Sequence, residues 1–226
     1  ALIGLAIGSS FDQLNPEDQA TFDPAVTSQF GLAIGGIVMI VLAVTFVSSE
    51  YTSGMIRLTL TATPRRLRVL MAKFAIIVLL MLALGTVASV GSFFIGQAVL
   101  GSYDAVPTAS LKGEALRAVI AGALTAPFFP LIGACLGAIL RSTASAITTV
   151  LSIMFVPGIL SALLPDAIQE NVLRFLPNNA TDQLMVTRPD VESPLHLDVL
   201  PAALLVVLWL AAFGIGAAVS ITRRDV

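Results

Sequence analysis

The richest chemistry in this chain is gathered between residues 50 and 73. Glu50 and Tyr51 come first, then Gly54, Arg57 and Leu60, then Pro64, Arg65, Arg66, Arg68 and Lys73. One acid, one phenol and five cations in this order suit charge-assisted contact, not bond-breaking. Met55, Ile56, Leu58, Thr59 and Leu60 around Arg57 predict an amphipathic helix over 51–63, lying along a membrane surface. Gly54 permits a sharp turn after the preceding span, and Pro64 can open the next helix but not continue this one. Glu50 is expected to pair with Arg57 or with a basic residue of a partner. Arg65, Arg66 and Lys73 also suit a simpler role as anchors on anionic lipid headgroups, each attracted by about 1 kcal/mol. Anchoring does not account for the ordered pattern Glu-Tyr-x-x-Gly-x-x-Arg-x-x-Leu with Pro-Arg-Arg four residues later.

Elsewhere, side chains that could do catalysis are sparse. The single cysteine, Cys135, lies in an apolar run and reads as a small buried hydrophobe, and the single histidine, His196, lies in a polar loop. The only lysines, Lys73 and Lys112, follow no Gly-x-x-x-x-Gly-Lys-[Ser/Thr] loop, so the chain is not itself a P-loop ATPase. Neither His-Glu-x-x-His nor Gly-x-Ser-x-Gly occurs. No catalytic, cofactor-binding or metal-binding residue is therefore assigned, and the chain reads as a non-enzyme. Within the apolar runs the polar groups are hydroxyls and an amide, including Thr45, Thr86, Ser89, Ser92, Gln97, Thr125, Thr148, Thr149 and Ser152, whose simplest role is helix–helix hydrogen bonding. Phe93, Phe128, Phe155 and Thr45 are candidates for lining a pathway; core or lipid-facing packing is the competing reading for each. An uncharged interior weakens the case for an ion-coupled carrier or channel.

The elements that hold these residues follow from composition. The chain has 226 residues, 57% of them hydrophobic and 12% charged, with a mean hydropathy of +0.95. That charge is about half that of an average soluble domain, so lipid must be the solvent for most of the surface. Continuous apolar runs cover 30–48, 74–100, 115–140, 144–164 and 199–221, each long enough to span as a helix. They are not alternating, as barrel strands would be. The expected fold is an all-α integral membrane bundle with five visible spans. Residues 1–8 are apolar but too short to cross a bilayer and are read as the end of a first span, which would make six. Placing 50–73 in the cytoplasm puts eight Lys and Arg inside and four outside, and leaves only Glu50 and Asp225 of the fourteen acids inside. The positive-inside rule supports that orientation, with a cytoplasmic C-terminus. Among the outer stretches, Ile168, Val172 and Phe175 fall on one face, so a short outer amphipathic helix is expected over 166–176, ended by Pro177 and Asn178-Asn179. Asn179-Ala-Thr181 matches a glycosylation sequon, with chance the better explanation. Gly31 with Gly35, and Gly133 with Gly137, allow close helix approach, either between subunits or within one. Pro127, Pro130 and Pro157 predict kinks. No repeat or linker divides the chain, which reads as one membrane domain over 1–226.

The segment resembles the coupling region of permeases of the ABC type-two exporter family. The matching positions are Glu50 and Tyr51 at the end of a span, Gly54 and Arg57, Leu60, Pro64 with Arg65 or Arg66, and Lys73 at the start of the next span. The stretch 174–181, Arg-Phe-Leu-Pro-Asn-Asn-Ala-Thr, is similar to the outer reentrant region of these permeases. The resemblance implies a permease dimer, with a like or an unlike second subunit, that forms the export pathway in a bacterial plasma membrane. It implies two cytoplasmic ABC ATPase subunits, each receiving one coupling helix, with ATP and magnesium held on those partners and none on this chain. Lipid is the remaining partner, and no nucleic acid is implied. The cargo would be an amphipathic drug, antibiotic, peptide or lipid. A non-transporting accessory scaffold and a stand-alone secondary carrier are the alternatives.

Overall fold

The structure is a computed structural model that describes residues 11, 15, 19, 22–52, 66–103, 106–161, 163–187 and 190–223, with Thr52 and Arg66 described by backbone only. The apolar segment 1–8 and residues 53–65 lie outside the described residues. With 53–65 go most of the expected coupling helix and its Gly54, Arg57, Leu60, Pro64 and Arg65.

Among the described residues every regular element is helical. The order is α1 Pro24–Ser28, α2 Phe30–Thr52, α3 Arg66–Leu100, α4 Gly113–Thr125, α5 Phe128–Leu140, α6 Thr143–Ser161, α7 Asp166–Asn171, a 3₁₀ turn Leu173–Phe175, α8 Pro177–Met185 and α9 Val199–Arg223. Five helices are long and apolar enough to cross a membrane: α2, α3, α4 with α5 taken as one rod, α6 and α9. The chain is a multi-pass membrane protein. At 35 residues α3 runs about 52 Å, well beyond a hydrocarbon core of about 30 Å, so its basic first turns project past the apolar layer.

The long polypeptide rod α4–α5 is the axis of the bundle. Of its apolar window 61% is buried, against 11% for α6 and for α9. Pro127 interrupts it, and a turn at Ala126–Pro127 separates the two halves. Pro157, by contrast, sits inside an unbroken α6. The most extensive contact in the molecule joins α2 to α5. It is close because of the glycine pair on α5. A Cβ on Gly133 would lie 2.7 Å from Val44 Cγ2, and one on Gly137 would lie 3.5 Å from Ser48 Cβ. That pair therefore packs inside the subunit. Gly31 approaches Ser92 of α3 in the same way, whereas nothing lies near Gly35.

Successive long helices alternate in direction, so the bundle has two chemically distinct ends. One end carries Glu50, Lys73, Arg141 and Arg223; Tyr51, Leu70, Ala138 and Ile221 pack together there in one apolar cluster with Cys135. The opposite end carries α1, α7, α8 and the 101–112 connection. Asp23 caps α1 there by accepting from Ala25 N and Val26 N. Pro177 closes the expected 166–176 stretch, as its sequence predicts, but it also occupies the first turn of α8. Asn178 and Asn179 thus continue in a helix instead of ending one. Asn179 is 8% exposed, and its Nδ2 donates to the carbonyls of Arg174 and Leu195, each at 2.9 Å. A side chain used in this way cannot accept a glycan without unfolding α8.

Candidate functional site

At the basic end, the two helix termini that bracket residues 53–65 are fastened to each other. Lys73 Nζ lies 2.7 Å from Glu50 Oε2, with side chains only 12% and 27% exposed. Glu50 is in the last turn of α2 and Lys73 in the second turn of α3, so the ion pair spans the root of the segment. Lys73 also lies 5.6 Å from the Phe46 ring centre, one turn back along α2. Glu50 was expected to reach Arg57 or a partner; the described residues give it Lys73.

A second fastening joins this root to the α5–α6 corner. Only Arg141 and Ser142 separate α5 from α6. Arg141 takes the left-handed conformation, φ 55°, that lets the chain reverse, and its N–H closes α5 on the Gly137 carbonyl. Its guanidinium then lies 5.6 Å from the Tyr51 ring centre. Beside it, the hydroxyls of Ser48 and Thr143 are 2.7 Å apart. Tyr51 is half-buried against the apolar cluster beneath. Glu50, Tyr51, Lys73 and Arg141 thus form one continuous polar belt around the roots of α2, α3 and the α5–α6 corner. Arg141 was read from sequence only as a loop charge; no local pattern marks it out.

The opposite end holds a cavity of ≈ 140 Å³. Its walls are Leu32, Ala33, Gly36, Met39 and Ile40 of α2, Gly122, Thr125, Ala126, Phe129 and Pro130 along α4–α5, Met154 of α6, and Thr181, Asp182 and Met185 of α8, with Gln29 beside them. Ile40 is about 15 Å along α2 from Phe30, so the cavity reaches midway into the apolar layer. Asp182 is the acid on these walls. The Asp182 side chain is exposed where the cavity opens, yet the protein atoms crowded around it desolvate the carboxyl and push it up to about 6. No hydrogen bond or ion pair reaches that carboxylate from the described residues.

The helix that presents Asp182 is held from both sides. Arg117 donates from Nη2 to the Val186 carbonyl at 2.6 Å, and Thr187 donates to Asp23 Oδ2. Trp209 Nε1 of α9 donates to the Phe175 carbonyl at 3.0 Å, fixing the turn before α8. Beneath the cavity, Gln29 and Ser89 form a buried cross-helix link. Gln29 Nε2 donates to the Ser89 carbonyl, and the Ser89 hydroxyl lies 3.1 Å from Gln29 Oε1 and 2.9 Å from the Val119 carbonyl. Ser89 and Gln97 therefore do bond across helices, whereas Thr86, Thr125, Thr149 and Ser152 donate to carbonyls of their own helices.

The four candidate pathway residues are not brought together. Phe93 packs with Ala25, Ala115 and Val119, and Phe128 packs in a separate cluster with Ile40, Ile132 and Val150. Phe155 and Thr45 face outward from α6 and α2. Sequence reasoning counted Asp182 only as one more acid of an outer loop. Its place in a short helix that dips between α4, α6 and α9 is a product of tertiary packing. No group of three or more His, Cys, Asp and Glu able to hold a metal occurs among the described residues.

Residues 14–226 match a family described as "Protein of unknown function (DUF2705)". No curated protein and no solved structure matches the chain. Because that family match runs over nearly the whole length, the chain belongs to the DUF2705 family.

Proposed function

We propose that this protein is the membrane-spanning permease subunit of an ATP-driven exporter, working as a dimer with two separate cytoplasmic ATPase subunits. The observation that supports the reading is the clamped root of the 53–65 segment. A lever transmits motion only if its base is stiff and joined to what it moves. Here Glu50 and Lys73 tie the two chain ends of the segment together, and Arg141 and Thr143 tie that root to α5 and α6. A push on residues 53–65 would reach four of the five spans through these contacts. In this reading the basic end faces the cytoplasm, in agreement with the positive-inside bias. Tyr51, Gly54, Arg57, Leu60, Pro64 and Arg65 would meet the ATPase. The cargo is an amphipathic compound.

The test is affinity purification of the tagged chain from its native membrane, followed by ATPase assay of the reconstituted material. A stoichiometric partner with a Walker motif, whose ATPase activity responds to amphipathic compounds, is the expected result. Glu50→Gln should lower that response several-fold while leaving assembly intact. Purification of the chain without any nucleotide-hydrolysing partner would overturn the reading.

Asp182 favours a second reading, a stand-alone carrier, because an ionisable group inside a membrane cavity is a common device for ion coupling. Uptake or efflux in vesicles driven by a proton gradient alone, without ATP, would select it.

A further inference from the structure

The cavity at the Asp182 end has an apolar lining with a few polar groups, largely of one chemical type. Its polar groups are nearly all acceptors. Asp182 brings a carboxylate without a partner among the described residues. Thr125 Oγ1 gives its proton to the Ala121 carbonyl at 2.8 Å, and Thr181 Oγ1 gives its own to the Asn178 carbonyl at 2.8 Å. Both hydroxyls have therefore spent their protons and have lone pairs only left to offer. The Gln29 amide is held to one side by Ser89. No Lys, Arg or His among the described residues lines the walls. The rest of the lining is Leu32, Met39, Ile40, Phe129, Met154 and Met185, which cannot replace the water shell of a bare ion. At ≈ 140 Å³ the space is close to the roughly 150 Å³ apolar cavities that accept a single benzene ring.

We propose that this cavity binds the protonated amine of a small apolar molecule, with Asp182 as its counter-ion and the hydroxyls of Thr125 and Thr181 as further acceptors. An ammonium has three donors and no acceptor, which matches the acceptor set. The single-ring or short aliphatic body fills the apolar part, as in other small-molecule sites built from hydrophobic walls and a few placed polar groups. An ionised Asp182 beside these apolar walls is partly desolvated although its side chain is exposed, and the ligand's charge offsets that cost. The site does not depend on the exporter reading, because binding is a property of this chain alone.

The charged groups on the elements packed around α8 are few. On α4, Glu114 and Arg117 bond each other at 2.8 Å. Arg174, in the preceding turn, lies 5.9 Å from the Phe175 ring centre. α6 has none, and Arg223 of α9 lies at the far end of the bundle. Asp182 is thus the group whose charge governs the site in the neutral pH range.

The test is equilibrium binding of 4-fluorophenethylamine to the purified full chain in detergent, read by fluorine NMR. Saturable binding is expected at neutral pH. Asp182→Asn should weaken it by about tenfold or more, as expected for the loss of a charge-assisted contact, while Asp182→Glu retains it. Gly36→Leu should weaken it comparably by filling the cavity; a Cβ at Gly36 meets nothing within 4 Å, so the side chain has open space to enter, and an unchanged helical circular-dichroism spectrum checks that the variant is folded. Binding should also fall as pH drops through about 6, because the carboxyl is pushed up to that value. Binding of the amine that survives both Asp182→Asn and Gly36→Leu would overturn the proposal. So would equal competition by neutral 4-fluoroethylbenzene, or displacement by sodium ions at comparable concentration. Absence of saturable binding by the folded wild-type chain would overturn it as well.

Discussion

The two ends of the bundle handle charge in opposite ways. At the basic end three charged side chains have company: Lys73 meets Glu50 and Phe46, and Arg141 meets Tyr51. At the other end α8 carries Asp182 into a cavity with no partner among the described residues. Compensated charge makes a rigid joint, since breaking it exposes two desolvated groups at once. Uncompensated charge makes a place where something must arrive. The difference underlies the proposal of a mechanical role for one end and a binding role for the other, and it can be broken or sharpened by substitution.

The largest effect is expected at the ion pair. Glu50→Gln leaves the Lys73 ammonium, only 12% exposed, with a neutral neighbour. The loss should be about 2–3 kcal/mol, the range for removing one side of a mostly buried charged contact. Unfolding of the detergent-solubilised protein by graded denaturant measures it. Lys73→Met should cost less, because Glu50 is the more exposed partner. The double variant should lose clearly less than the sum, since the pair acts as a unit. Additive losses would mean that the basic end is not clamped by this pair.

Next comes the seam that connects the two ends. Gly133→Ala places a methyl 2.7 Å from Val44 Cγ2, and Val44 is itself fully buried between α2 and α5. Overpacking of this kind costs about 1–3 kcal/mol. Gly35→Ala, in the other four-residue glycine pair, meets nothing and should cost nothing or add slightly to helix stability. The same denaturation series separates the two. Equal costs would show that the α2–α5 contact is softer than the spacing implies.

A smaller effect of opposite sign belongs to Asp182. Its carboxyl is raised to about 6 in the folded protein, above the usual unfolded value near 3.9. A raised acid contributes fully to stability below its unfolded pKa and loses that contribution as pH rises through the folded one. The wild type should therefore weaken between about pH 4 and pH 6, and Asp182→Asn should not. Above that window the asparagine variant should be the more stable by about 1 kcal/mol; the full two-unit shift would be nearer 3, but the carboxyl opens to the cavity and solvent screens it. Unfolding midpoints at pH 4 and pH 8 check the sign.

How far the sequence announced this arrangement differs between the ends for a physical reason. Spans were legible because each is a local property, a run of apolar residues long enough for the bilayer. Glu50, Tyr51 and Lys73 were legible as a group because they sit at span ends in a spaced pattern. Their pairing was less so: the sequence suggests Arg57 or a partner's basic residue for Glu50, whereas the described partner, Lys73, comes from the next span. Arg141 and Asp182 were illegible as site residues. Arg141 reaches Tyr51 only because a two-residue corner turns it back, and Asp182 enters the bundle only because Pro177 restarts a helix where a loop was expected. The Phe93, Phe128 and Phe155 grouping failed to assemble because residue type says nothing about which face of a span is turned inward.

Arg141 carries the smallest expected effect and decides how far the clamp extends. Arg141→Ala removes a cation from the Tyr51 ring, worth about 0.5–1 kcal/mol for a half-exposed contact. It also replaces one residue in the left-handed conformation by another that tolerates it no better, so the backbone should contribute little to the change. Arg141→Gly relieves that conformation while removing the same contact. If the ring contact dominates, both variants should lose stability, with the glycine variant losing less. A glycine variant more stable than wild type would mean that the corner is strained for no mechanical return. The belt would then stop at Glu50 and Lys73, and a push on residues 53–65 would reach α5 and α6 only through the Ser48–Thr143 hydroxyl contact and the apolar cluster beneath.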